Sequence, residues 1–590
     1  MIGNRKLVGL TIFLLIAALI LAGCPAPTPE VIEVEKQVVV EKTVIETVVI
    51  EKEVVVEKSV METVMVEKEV VVEVVVTPTP VSFRKGGTLV IGLSDTTIVT
   101  LDPAGYSDSA TERVLGNIFD GLVRRSVDNE AVPEVAKSYQ WIDDVTCEFV
   151  LKQGITFHNG EALTADDVVY SFERILADDG ICGQTSPRRG FLGPVTSVEK
   201  VDDYTVRFHF ENPFAPFIKM LPHNQIVPKD YMEEVGCEEF AKHPVGAGPY
   251  MFVEGVFDDQ IVLARFEDYY GGSDYQPPVG PAGPDRVIFK MIPETLTRIA
   301  ALLAGEVDII HDVPSYMVPQ LLGNSDIVVK TCGSVRPKFV DLNYTMPPFN
   351  DVQVRRALNY AVDAETLLQQ VVGGYGVVLP GPLSPFNTYA DPTLEPYGYD
   401  FERALELLAE AGWEDTDGDG ILDKEGEQFS FTLDAFGLYV PIAEAVAGQL
   451  RTIGIDVSVR TWEYGVVKPL LLNCERQAFL RDWGDSAFDP VGYIEAKWHT
   501  RIEDTSLGRG NFACYSNARV DELIDAGALE VDPEKRHEIY DEMQRLIYDD
   551  AAAIFLYLPQ EIHASRTRVQ NWEPHTDSMI YVHDVWLLSE

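Results

Sequence analysis

Positive charge is what this sequence has least of. Its 47 Lys and Arg stand against 94 Asp and Glu, a formal charge of −47. So acidic a surface excludes nucleic acid as a partner and favours solubility or cationic solutes. Enzyme signatures are missing too. His537-Glu538 lacks the second histidine of HExxH, and neither GxSxG nor a Walker loop occurs. Ser82 and Ser197 each open an S-x-x-K with no KTG or SDN to match. No CxxC pair is present, which removes a zinc ribbon or a thioredoxin-like motif. The ten histidines are scattered, a poor basis for chelation. Past residue 83 no apolar run is long enough to cross a membrane.

The front end holds the most specific signal. Arg5 and Lys6 precede an apolar run from Leu7 to Leu21, which ends in Leu21-Ala22-Gly23-Cys24. A positive n-region, a short apolar core and small closing residues describe a secretory signal over 1–23. The run falls short of the roughly 20 residues a span needs. Its close resembles the lipobox of bacterial lipoproteins, which implies lipid on Cys24 and cleavage just before it. Losing Arg5 and Lys6 with the signal takes the charge from −47 to −49. Next comes a repetitive stretch, where 35–50 (EKQVVVEKTVIETVVI) is nearly repeated by 51–66 (EKEVVVEKSVMETVMV) before Thr77-Pro78-Thr79-Pro80. The period gives neither whole heptads nor clean alternation, so neither a coiled coil nor a half-buried strand follows. Valine favours extended structure, and Glu-Lys pairs keep it soluble. Residues 24–82 read as a Val/Glu/Lys stalk or tether with a Thr-Pro linker.

The remaining 500 or so residues alternate strands and helices. Thr88–Leu93 is a short apolar strand. Thr164 and Asp167 make a capping box ahead of a stripe at Val168, Phe172 and Ile175. Tyr204, Val206, Phe208 and Phe210 alternate as a half-buried strand. Asn350-Asp351 starts one helix with stripe Val354, Leu358, Ala361 and Leu368, ended by Gly373-Gly374. Asp532-Pro533 starts another with Ile539, Met543 and Leu546 inward, and Ala551–Leu558 follows as a buried strand. Besides Cys24 there are Cys147, Cys182, Cys237, Cys332, Cys474 and Cys514, whose 15 pairings stay open.

A series of short blocks runs through this body in order. They include Gly86-Gly87-Thr88, Leu101-Asp102-Pro103, Asn117–Leu122, Phe149–Gly154, Thr156–Glu161 and Thr164–Val168. Pro244–Tyr250, Arg298 through Asp308, Val354–Asp363, Trp483 with Asp489-Pro490, and Tyr515-Ser516-Asn517 before Val520-Asp521 complete them. Over residues 86–590 the chain resembles the peptide/nickel (dipeptide- and oligopeptide-binding) family 5 of ABC-transporter solute-binding proteins. The resemblance implies an α/β, periplasmic-binding-protein-like fold of two lobes, mixed sheets joined by hinge strands. Lobe one would be 83–335 plus 551–590, with an extra subdomain at about 122–235, and lobe two 336–550. It implies no enzyme and no required cofactor. The expected role is extracytoplasmic capture of a solute, first a di- or oligopeptide, for an ABC permease complex. The protein would be a monomer held to the bilayer through Cys24, on the periplasmic side or cell surface. An oligosaccharide or another small solute is the alternative, and a stalked structural or adhesion lipoprotein the second.

The resemblance also suggests ligand-binding positions. Ser107, Asp108 and Ser109 fall in a pocket loop, and Trp462 is the aromatic that would cover the ligand. Trp483 precedes Asp485, which would pair with an α-amino group, since a desolvated ammonium must meet a carboxylate. Asp485 stands one residue further from Asp489-Pro490 than the family pattern. Trp462 and Trp483 read equally as core aromatics, and Arg481 reads as a surface arginine. Finally, Asp415, Asp417, Asp419 and Asp423 have the spacing of a structural calcium loop, although Gly426 stands at its closing position. The other reading is a solvated Asp-Gly turn.

Overall fold

The computed structural model describes residues 45–50, 53–56, 64–67, 70–75, 83–84, 86–275, 280–484, 488–503, 505 and 507–588. Cys24 lies outside them, as does Asp485. The chain divides into two compact units, 1–81 and 82–590. In the first, Ile45–Ile50 pairs antiparallel with Val70–Val75, and Glu53–Val56 pairs with Val64–Glu67 inside it. The valine-rich repeats thus double back. Ile45 lies opposite Val75, so this part is a folded ribbon and not a single extended leash.

The second unit has two main sheets. One, of seven strands, runs in the order Tyr250–Val256, Gln260–Arg265, Arg286–Met291, Thr88–Leu93, Ile309–Ile310, Glu561–Arg566 and Ile327–Cys332. Thr88–Leu93 is parallel to both of its neighbours, and an apolar run suits a strand covered on both faces. The other, of six strands, runs Gly376–Val378, Ala553–Pro559, Lys338–Leu342, Ala478–Asp482, Ser430–Ala435 and Asp456–Thr461. Each sheet has its own cores, one including Leu89, Ile91, Phe289 and Ile309, the other Val340, Leu433, Leu480 and Leu556. The chain crosses between sheets twice, from Cys332 to Lys338 and from Pro559 to Glu561. This is the two-lobed α/β architecture. A four-stranded antiparallel sheet of Val195–Asp202, Thr205–Phe210, Thr146–Leu151 and Ala136–Asp143 carries a third core with helix Ala165–Leu176.

Several local expectations shift. Ala553–Pro559 pairs with Lys338–Leu342, so the chain leaves lobe two at about residue 560, not at 551. The single helix expected after Asp351 is two, Val352–Ala361 and Ala364–Val371. Asp363 breaks it by accepting the Thr366 amide at 2.8 Å, a local bond that competes with helix continuation. Helix Pro533–Asp549 buries Arg536, Tyr540, Met543 and Ile547, with Ile539 and Leu546 only partly covered. Its inward face is turned because Arg536 pairs with the fully buried Asp489, at 2.6 and 2.7 Å. Four cysteines form the disulfides Cys182–Cys237 and Cys474–Cys514, with Cα separations of 5.6 and 6.0 Å. Cys147 and Cys332 are free.

Candidate functional site

Open sheets with parallel strands bind ligands beyond the carboxyl ends of those strands, and the chain places its charged loops there. Residues 95–99 follow Thr88–Leu93, and Asp312 follows the parallel Ile309–Ile310. Arg336 lies on one crossing segment and Glu561 ends the other. All of these but the buried Ile98 line, together with residues 107–110, Arg113 and Ser578, a cavity of about 580 Å³, within the range of small-molecule sites.

The wall is charged and mostly braced. Arg113 donates to Asp95 at 2.9 Å and to the Ser578 carbonyl at 2.8 Å. Ser94 Oγ donates to Asp312 at 2.5 Å, and His311 Nδ1 lies 3.1 Å from the same carboxylate. Burial opposes the charge on Asp312, but His311, Ser94 and Arg113 outweigh it and hold the carboxyl far below its usual range. Ser578 Oγ donates to Glu561. Arg336 differs from these. Its side chain is 56% exposed, and among the described residues its ion-pair partner, Asp482, is 3.7 Å away. Asp482 is meanwhile held by Lys338 at 2.5 Å and by the Tyr439 hydroxyl at 2.8 Å. Arg336 is therefore a cation in the cavity with capacity to spare.

Ser107, Asp108 and Ser109 lie on the cavity wall. Asp108 also caps helix Ser109–Leu115, accepting the Thr111 amide at 2.8 Å. Neither tryptophan is a lining residue. Trp462 Nε1 donates to buried Asp434 at 2.8 Å, and the Arg460 and Arg476 guanidinium groups lie 5.1 and 5.7 Å from its ring. Trp483 packs on Gly510, where an added methyl would come within 2.6 Å of its ring. Gly484, next to the undescribed Asp485, faces Arg336, whose guanidinium carbon would lie 3.6 Å from a methyl placed there. Arg481 is not a surface residue. It is 2% exposed and bonds Asp341 at 2.6 Å. Lys497 completes that buried cluster, and burial pushes its amine down to about 7 against the pull of Asp341.

The acidic loop does not gather all four carboxylates. Asp415, Asp417 and Asp419 converge, but Asp423 turns inward and accepts the Thr416 amide at 2.8 Å. Asp415 takes the amides of Gly418 and Gly420 at 2.8 and 3.1 Å, and Asp419 that of Ile421 at 2.8 Å. Backbone amides thus take up carboxylate oxygens of this turn. The oxygen set lacks the bidentate closing glutamate that a calcium loop uses.

Asp95, Arg113, Asp312, Arg336 and Glu561 were not singled out from sequence. The only available signal was position, since Arg336 stands at the expected lobe boundary.

Two lobes crossed twice by the chain, with a charged cavity beside the crossings, are an architecture suited to solute binding. Residues 130–504 match the family described as bacterial extracellular solute-binding proteins, family 5 Middle, and the chain belongs to it. It is 29% identical over 526 residues to the oligopeptide-binding protein AppA of Bacillus subtilis, covering 86% of this chain and 92% of the relative. The structure of that AppA in complex with a nonapeptide superposes with a TM-score of 0.67 at 28% identity, covering 86% of this chain and 100% of the other. The periplasmic binding protein DppA of Helicobacter pylori, in complex with peptide STSA, gives a TM-score of 0.68 at 26% identity, covering 86% and 99%. The glutathione-binding protein GsiB of Pectobacterium atrosepticum is 25% identical over 524 residues, covering 86% and 95%. As a family 5 member the chain serves ABC import.

Proposed function

We propose that this chain is a monomeric lipoprotein, anchored to the cell membrane through Cys24, that captures a di- or oligopeptide between its lobes. It then presents the closed complex to an ABC permease. The observation that carries the reading is the pairing of opposite charges on the two crossing segments. Arg336 and Glu561 line the same cavity, and a zwitterionic solute needs both signs. In this reading Arg336 meets the solute carboxylate and an acid of the cavity such as Glu561 faces the amine, the role that the family resemblance suggests for Asp485. Peptide binding by AppA and DppA supports the solute class. The tryptophans stand off the wall, which weighs against sugar stacking, and a cavity at the crossings weighs against a purely structural stalk.

Thermal unfolding of the intact chain against short peptides, glutathione and oligosaccharides tests the solute class. A ligand at a hundred times its Kd adds about 2.7 kcal/mol to the folded state, so a peptide that binds raises the midpoint. A shift with oligosaccharides alone overturns the peptide reading. The anchor has its own test in membrane fractionation. Cys24→Ala should move the protein to the soluble fraction, and retention in the membrane would contradict lipidation.

A further inference from the structure

Cys332 ends one strand and lies opposite Glu561, the first residue of the neighbouring strand. His563 is two residues further on, and alternation puts all three side chains on one face of the sheet. Cys332 Sγ is 3.6 Å from His563 Nε2, and Glu561 Oε2 is 3.7 Å from the same nitrogen. One ligand atom from each of the three residues lies within 4.8 Å of the others. Zinc bond lengths of about 2.3 Å to sulfur, 2.05 Å to nitrogen and 2.1 Å to oxygen, at tetrahedral angles, require separations of about 3.6 Å for S···N and 3.4 Å for N···O. The side chains already stand at these distances to within a few tenths of an ångström.

The charges agree with the distances. A thiolate, a carboxylate and a neutral imidazole sum to the charge that balances a divalent cation. Without a cation the thiol donates to the His575 carbonyl at 3.4 Å. The nearest lysine on the paired strand, Lys330, is committed elsewhere, to Glu573 at 2.7 Å and to the Trp572 carbonyl.

We propose that Cys332, Glu561 and His563 form a three-ligand site for a thiophilic divalent ion of the zinc class. The site lies at the edge of the solute cavity, which Glu561 also lines. Binding forms a metal–thiolate bond and releases the Cys332 proton to solvent. Three protein ligands leave a fourth position for water or for a donor atom of a captured solute. The site stands whether or not the solute is a peptide.

The test is anaerobic cobalt titration of the intact chain with both disulfides formed and no reductant present, read as a near-ultraviolet thiolate-to-cobalt band together with visible bands of tetrahedral intensity. One equivalent should give both, with release of about one proton per ion, and zinc should bleach them. Cys332→Ser should abolish the thiolate band, whereas Cys24→Ala and Cys147→Ala should keep it. His563→Gln should weaken cobalt binding at least tenfold, and it decides the matter if Cys332→Ser fails to fold. No thiolate band in the unsubstituted chain, or a band that survives in Cys332→Ser or is unchanged in His563→Gln, would overturn the proposal.

Discussion

Replacing Asp489 by alanine strands the Arg536 guanidinium, which is 2% exposed and has its two-pronged partner there. Breaking a buried ion pair from one side costs about 3–5 kcal/mol, so Asp489→Ala should lower stability by that amount in urea unfolding. A change under 1 kcal/mol would mean the pair is solvated. Glu112 offers a pH-dependent counterpart. Its carboxylate lies 2.6 Å from His223 Nδ1 and 3.2 Å from Arg188. Burial opposes its charge, but His223 and Arg188 outweigh this and hold it at about 2. The folded value lies below the unfolded one of about 4.3. The contribution, about 3 kcal/mol, is therefore complete above that value and is lost as pH falls toward 2. Glu112→Gln should unfold well below the unsubstituted chain at pH 7, with the gap closing by pH 2; a gap independent of pH would contradict the ion pair. These residues also show what the sequence blocks encode. Asp102 of Leu101-Asp102-Pro103 bonds Arg174 at 3.0 and 2.5 Å. Asp308 bonds Arg568 at 2.6 and 2.8 Å. Arg355 donates to the carbonyls of Phe349 and Asp550 at 2.8 Å. The legible motifs are largely the fold's internal fastenings. The cavity groups Arg336 and Glu561 belong to no such block, which is why sequence reasoning passed over them.

At the scale of elements, local signals served where a side chain bonds its own helix or strand. The Thr164–Asp167 capping box forms as read, and Val206, Phe208 and Phe210 alternate inward on Thr205–Phe210. They failed where a distant partner decides. Periodicity pointed Ile539 inward, but the pair with Asp489, 47 residues away, turned the helix to bury Arg536. The disulfides are long-range in the same sense, closing loops of 55 and 40 residues. In the chain-entropy account each removes about 4 kcal/mol of freedom from the unfolded state. Reduction should accordingly lower the unfolding midpoint, and Cys474→Ser should reproduce part of the drop without reductant. A midpoint unmoved by reduction would show that the loops are constrained by other means. Asp363→Ala should cost about 1 kcal/mol through loss of the cap on Ala364–Val371, read by the same unfolding curve; no loss would mean tertiary packing alone breaks the helix there.

Across the whole of the second unit, the lobes meet away from the crossings. Met220, on helix Phe217–Met220, and Val491 are 6% and 9% exposed and pack with Phe191, Phe214 and Ala528. The Arg125 guanidinium lies 4.9 Å from the centre of the Phe488 ring, and Lys219 donates to Thr388. If solute capture favours a closed arrangement over an open one, as proposed, this contact belongs to the closed one. Met220→Asp places a charge in the contact and should weaken solute binding at least tenfold while enlarging the radius of gyration in solution scattering. Unchanged affinity would mean the contact does not help closure. The most direct measurement is calorimetric titration of the intact chain and of Arg336→Gln with a tetrapeptide bearing a free or an amidated C-terminus. Peptide capture at the crossings predicts that the free peptide binds the unsubstituted chain at least tenfold tighter than it binds Arg336→Gln, with the amidated peptide indifferent to the substitution. Heat from oligosaccharides alone, or equal binding of the free peptide to both chains, would contradict it.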